Sequence, residues 1–170
     1  MNIEIISDTE SNPADINTNA ADPVETVRIL GTSTCPSLSA KSTLTYNIGM
    51  DTEGQTHIQV IGNDGGGYFN DDWIAYRDIQ AVLAKQPKDI TSGSLRSLYP
   101  SKSNNSPGFL AAVLKAVGLV QVSTTNLRCY EALDSAAFLA GVKTLMESAP
   151  ALEVPPKPKT LTLKSKPKKT

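Results

Sequence analysis

The stretch SGSLRSLYPSKSNNSPGFLAAVLKAVGLVQVSTTNLRCYEAL, residues 92–133, decides how the chain is read. Leu95, Leu98 and Tyr99 fall on one side of a short helix that Thr91, Ser92 or Ser94 can cap and Pro100 ends. Residues 101–105 make a polar turn. Ser106 suits an N-cap, and Pro107 suits the first helical position, where its missing N–H is no loss. Phe109, Leu110, Val113, Leu114 and Val117 then line one face of a second helix, and Gly118 stands where a left-handed C-cap belongs. Leu119, Val120 and Val122 lead into a turn at 123–126, and 127–133 return as a strand with Cys129 and Tyr130 on opposite faces.

Outward from this core the patterns are of two kinds. Downstream, Asp134 or Ser135 caps a last helix that buries Phe138, Leu139, Val142, Leu145 and Met146 and closes at Pro150. Upstream, Tyr76, Ile79, Val82 and Leu83 share one helical face ending near Lys85. Asn70, Asp71 and Asp72 are its candidate caps, because their side chains accept hydrogen bonds from free amides and suit the helix dipole. Trp73 and Ile74 fit that face less well and read as the tail of a strand or a packing staple. Before them, Leu44, Tyr46 and Ile48 alternate with polar residues, as do Thr56, Ile58 and Val60, with a turn at 50–54 between them. That is a β-hairpin. In its register His57 and Gln59 face the opposite, solvent side. Residues 27–30 read as a short strand, 31–42 as a loop, 62–67 as a glycine-rich break, and Tyr68 with Phe69 as a third short strand.

At 170 residues the chain fits one domain with tails. Its 39% apolar and 19% charged content matches a modest soluble core, and the net charge of −1 hides an asymmetry. Residues 1–26 carry six acids and no Lys or Arg, whereas 155–170 carry six lysines, Lys157, Lys159, Lys164, Lys166, Lys168 and Lys169, and no acid. The expected organisation is an acidic disordered leader (1–26), one domain over 27–150 (β-rich to 70, helical from 71), and a basic Pro/Lys-rich disordered tail (151–170). Thr160-Leu161-Thr162-Leu163 in the tail alternates like a strand able to add to a sheet edge. No secretory signal and no run of ~20 apolar residues is visible, so a cytoplasmic protein is expected. Cys35 and Cys129 are far apart without metal-ligand spacing and read as reduced thiols.

The piece from Phe109 to Tyr130, a helix, a Gly-Leu-Val junction and a short return strand, resembles the recognition helix and wing of winged helix-turn-helix proteins. The resemblance runs from about Tyr76 to Leu133 and rests on element order rather than an invariant motif. It implies an α+β fold: an N-terminal antiparallel β-hairpin or small sheet followed by a winged helix-turn-helix-like helical half. It also implies a third helix placed in a DNA groove with the wing near the backbone, although many such domains contact protein instead.

Base edges are read by Arg, Lys, Asn and Gln, mainly from the N-terminal end of the helix. The outward face of the third helix offers only Ala111, Ala112, Lys115 and Ala116, with the polar groups ahead of it at 101–106. The candidate nucleic-acid contacts are Arg96, Lys102, Asn104, Asn105, Lys115 and Arg128, plus the six tail lysines. Were all six to neutralise phosphates, they would contribute a salt slope on the order of −5. An alanine-lined face also suits close packing in a dimer or against another protein.

Other candidates are set aside. Ala40-Lys41-Ser42 has the ending of a phosphate-binding P-loop, but Cys35 and Ala40 stand where its glycines belong and a strand follows. Gly65, Gly66 and Gly67 read as a plain turn because Asp64, Asp71 and Asp72 flank them with like charge for a phosphate. The spacing of those acids fits no cation loop. Cys129 reads as packing, His57 as a surface histidine and Trp73 as packing rather than a stacking platform. No metal, cofactor, membrane or small-molecule substrate is implied, and no catalytic constellation assembles. The leading expectation is a small nucleic-acid-binding regulator or accessory protein that acts as a dimer. The alternative is a protein-binding adaptor or inhibitor.

Overall fold

The computed structural model describes residues 26–99 and 103–148. The fold is α+β. Strands β1 (Arg28–Pro36), β2 (Thr43–Met50), β3 (Thr56–Asn63) and β4 (Ile74–Ala75) form an antiparallel sheet in sequential order. Helix α1 (Tyr76–Lys85), a 3₁₀ helix (Ser92–Leu98), helix α2 (Ser106–Ala116), a two-stranded ribbon of β5 (Val120–Val122) and β6 (Tyr130–Ala132), and helix α3 (Ala136–Ser148) follow.

The hairpin forms as its alternation dictates. Tyr46 pairs with Val60 and Ile48 with Ile58, so Leu44, Tyr46, Ile58 and Val60 bury on one sheet face against the helices. The sheet is larger than a hairpin. Residues 31–36, expected as loop, continue β1. A register shift between Ile29 and Gly31 breaks the alternation, and an edge strand need bury only part of one face, so Thr32, Ser33 and Thr34 give no apolar signal. The fourth strand is Ile74–Ala75 rather than Tyr68-Phe69. A polar ladder runs across the other face: Thr32 Oγ1 donates to Asn47 Oδ1 (2.7 Å), Asn47 Nδ2 to Gln59 Oε1 (3.1 Å), and Gln59 Nε2 to the Asp71 carbonyl (2.7 Å).

His57 lies on that second face, as expected, but is only 6% exposed rather than solvated. Its Nε2 sits 2.9 Å from Asp51 Oδ2. Trp73 packs over Gly49, the register partner of His57; a Cβ at Gly49 would lie 2.7 Å from the Trp73 ring and 2.6 Å from Val27 Cγ1. The other Asp51 oxygen accepts the amides of Glu53 (2.9 Å) and Gln55 (2.8 Å), which closes the β2–β3 turn.

The helix caps differ in part from expectation. α1 starts after Ala75 with no side-chain cap, so Asn70, Asp71 and Asp72 do not cap it. The Asn70 side chain instead accepts the amide of Asp72 at 2.7 Å. Thr91 and Ser94 form the capping box of the 3₁₀ helix. Ser106 is the first residue of α2 rather than its cap, and its hydroxyl accepts the Asn70 amide at 2.7 Å, tying the loop before β4 to the start of α2. α2 ends at Gly118 (φ +77) as expected. Leu119 N–H bonds the Leu114 carbonyl (2.9 Å) and Gly118 N–H that of Lys115 (3.3 Å), a paired 6→1 and 5→2 closure that satisfies free carbonyls.

α2 is the centre of the molecule. It contacts β1, β2, β3, β5 and the 3₁₀ helix. Ala111 (1% exposed) and Ala112 (3%) are core, which corrects their expected outward placement. α3 is the reverse case: Phe138 and Val142 bury, while Leu139 and Met146 stay 44% exposed rather than joining the core. The returning strand spans only 130–132, and Cys129 is buried just before it. Residue Ile90 exchanges two backbone hydrogen bonds with Tyr130 (2.9 and 2.7 Å), adding one bridge to the β5–β6 ribbon. Both cysteines are free and buried. Among the described residues no helix is long and apolar enough to cross a membrane. The leader and the tail lie outside the described residues.

Candidate nucleic-acid interface

The turn between β1 and β2 crosses the flank of α2. Two hollows open along this crossing and share Ser37 and Leu38 as a common wall. One, of about 220 Å³, is bordered by Ser39, Asn104, Asn105, Gly108 and Phe109. The other, of about 150 Å³, is bordered by Pro36, Ala112, Lys115 and Ala116. Together they follow the accessible side of α2 from its N-terminal end to its last turn. Ala112 borders the second hollow with this turn and is only 3% exposed.

Four of the sequence-derived candidates meet along this trough. Asn104 and Asn105 stand at its N-terminal end and Lys115 at the other. Arg96, from the 3₁₀ helix, donates Nη2 to Asn104 Oδ1 at 2.8 Å. This bond fixes the guanidinium beside α2 and leaves the Asn104 amide NH₂ and the other guanidinium donors for a ligand. Asn105 is committed differently. Its Nδ2 donates to the Tyr68 carbonyl at 2.8 Å, so it positions the glycine-rich loop and is not a free reader of bases. Ser103 Oγ reaches the same carbonyl at 3.4 Å.

Arg128 is exposed on the turn between β5 and β6, with its amide bonded to Asn126 Oδ1 at 3.1 Å, and it borders neither hollow. Lys102 and the tail lysines Lys157, Lys159, Lys164, Lys166, Lys168 and Lys169 lie outside the described residues.

The features set aside on sequence have structural roles. The triple-glycine segment is a self-bonded turn: Gly65 and Gly66 amides bond Asn63, Asn63 Nδ2 bonds the Gly66 carbonyl, and Gly66 and Gly67 take positive φ. Asp64 is engaged by the Thr43 amide at 2.6 Å. Asp51 and His57 have the chemistry of an acid–base dyad, but both are buried and bonded into a turn, and His57 Nδ1 has no partner among the described residues. Burial pushes the Asp51 carboxyl upward. The bonds from His57, Gln55 and Glu53 and the histidine charge outweigh it, so the carboxyl sits below the ordinary aspartate range. Among the described residues no cluster of three or more His, Cys, Asp or Glu is arranged to hold a metal ion.

Sequence reasoning missed two contributors. Leu38 was hidden in a Ser/Thr/Pro-rich segment, where it is the only bulky apolar residue between 36 and 43. Tyr68, expected in a short strand, follows three glycines whose turn signal argues against one. In comparison with known proteins, no family model, no curated protein and no solved structure matches this chain.

Proposed function

We propose that the protein binds nucleic acid through the trough along α2, as a small regulator or accessory protein, with the lysine-rich tail adding non-specific affinity. The observation that carries this reading is the placement of Arg96 and Asn104 at one end and Lys115 at the other end of a trough along one helix, with hydrogen-bond donors uncommitted at its N-terminal end. N-terminal residues of a recognition helix are the ones that reach base edges, and Arg and Lys supply the phosphate contacts.

The element order supports a winged-helix-like second half. α1, the Ile90 bridge, the 3₁₀ helix, α2 and the β5–β6 ribbon follow one another, and Ile90 pairs with β6. The burial of Ala111 and Ala112 changes how such a body makes contact. The alanine face cannot enter a groove or serve as a dimer surface, so contact falls to the end of α2, the turn before it and Arg128 on the ribbon. This reading keeps the cytoplasm as the expected location.

A protein-binding adaptor is the second reading. It is favoured by a hollow of about 410 Å³ between α3 and the sheet, bordered by Ile48, Val117, Phe138, Val142 and Leu145, with Leu139 and Met146 exposed on the same helix.

A salt titration separates the two. Random duplex and single-stranded DNA are titrated with the full chain, with a chain lacking 151–170, and with Arg96, Asn104 and Lys115 replaced by alanine. Nucleic-acid recognition by the body predicts that the triple substitution weakens binding beyond what tail removal does. A loss on tail removal alone, with no effect of the substitutions, rejects the body as a reader.

A further inference from the structure

We infer that Tyr68 is a stacking platform for an unpaired nucleobase, so that the site prefers single-stranded or extruded nucleotides to intact duplex. This rests on the nucleic-acid reading above and names the form of ligand that the site takes. Tyr68 is 75% exposed, an unusual placement for a large aromatic side chain. Its backbone is nevertheless held at its own carbonyl and through the two residues that follow it. The carbonyl accepts bonds from Asn105 and Ser103 at the start of α2. The next residue, Phe69, packs edge-on against Phe109 of α2 with ring centroids 5.7 Å apart, and the amide of Asn70 is held by Ser106. The ring therefore projects from an anchored post next to the trough, and ordering it costs little because tyrosine has only two side-chain torsions.

The charges around it select a base over a phosphate. Asp64, Asp71 and Asp72 are exposed on the same loop and repel a phosphate. The cations are held elsewhere: Arg96 is bonded to Asn104, and Lys115 borders the hollow at the far end of α2. A neutral base face on Tyr68 with the backbone running toward Arg96 satisfies both sets. A base in an intact duplex has no free face to offer, whereas every unpaired base does.

The test measures binding of the full chain to labelled oligothymidine and to a duplex of the same length. Loss of one stacked base typically weakens single-strand binding about tenfold or more. Tyr68→Ala and Tyr68→Leu should both show a loss of that order on the single strand and little change on the duplex. Tyr68→Phe, which keeps the ring, should bind like the parent. Because the side chain is exposed, all three variants should melt with the parent chain. Equal binding by parent and Tyr68→Ala, retained binding by Tyr68→Leu, or equal losses on strand and duplex would overturn the stacking role while leaving nucleic-acid binding standing. A parent chain that binds neither oligonucleotide would overturn both.

Discussion

Helices α2 and α3 are built from nearly the same residues and meet opposite fates. Each carries three alanines, two leucines, one valine and a single lysine. α2 buries seven of its eleven residues, including both internal alanines, whereas α3 buries only Phe138 and Val142 of thirteen. The difference lies in what surrounds them. α2 has the sheet on one side, the 3₁₀ helix on another and the β1–β2 turn across its flank. α3 rests on β1 along a single stripe, with Leu145 against Gly31. An alanine on a helix therefore reports surface or core only once its coverage is known.

The largest effect that sharpens this contrast is a core truncation. Leu110 is fully buried, and Leu110→Ala should cost about 3 kcal/mol from lost burial and the cavity left behind. Leu139→Ala on α3, at 44% exposure, should cost under about 1 kcal/mol. Urea denaturation of the two variants measures this; similar losses would break the distinction. The next effect runs the other way. Ala112 is buried in the core, so Ala112→Leu should overpack it and destabilise by about 1–3 kcal/mol, whereas Ala140→Leu on the open side of α3 should be nearly neutral.

A smaller effect lies outside both helices, at Asp51. Its carboxyl is lowered in the folded chain, so the ionised form stabilises the fold above the unfolded value of about 3.9. That contribution shrinks as pH falls from there through the folded value. The stability difference between the parent and Asp51→Asn should therefore narrow below about pH 4. A difference that stays unchanged on acidification would show that the Asp51 charge is not what the variant removes.

Legibility in the sequence followed how far each pattern depends on its own residues. The β2–β3 hairpin, the face of α1, the capped 3₁₀ helix and the Gly118 stop were readable because alternation, helical spacing and a left-handed glycine are local. β1 was missed beyond Leu30 because its bulge and its polar edge residues erase alternation. The buried His57 was missed because its partner Asp51 looks like an ordinary turn residue, and Trp73 comes over Gly49 from sixteen residues beyond His57. At the candidate site, residue types were legible: Arg96, Asn104, Asn105 and Lys115 were picked out by chemistry. Their division of labour was not, since it took the fold to commit Asn105 to Tyr68 and to lay the β1–β2 turn across Ala112. Arg128 shares neither hollow, and position in the chain carried no hint of that.

The most direct measurement is a map of backbone amide shifts when oligothymidine is added to the isotopically labelled chain. The account predicts that the largest changes fall at 37–39, 67–69, 96, 104–106, 108–109 and 115, with α3 from Ala136 to Ser148 unmoved. Shifts centred on Leu139 and Met146, or confined to the lysines beyond residue 150, would contradict it.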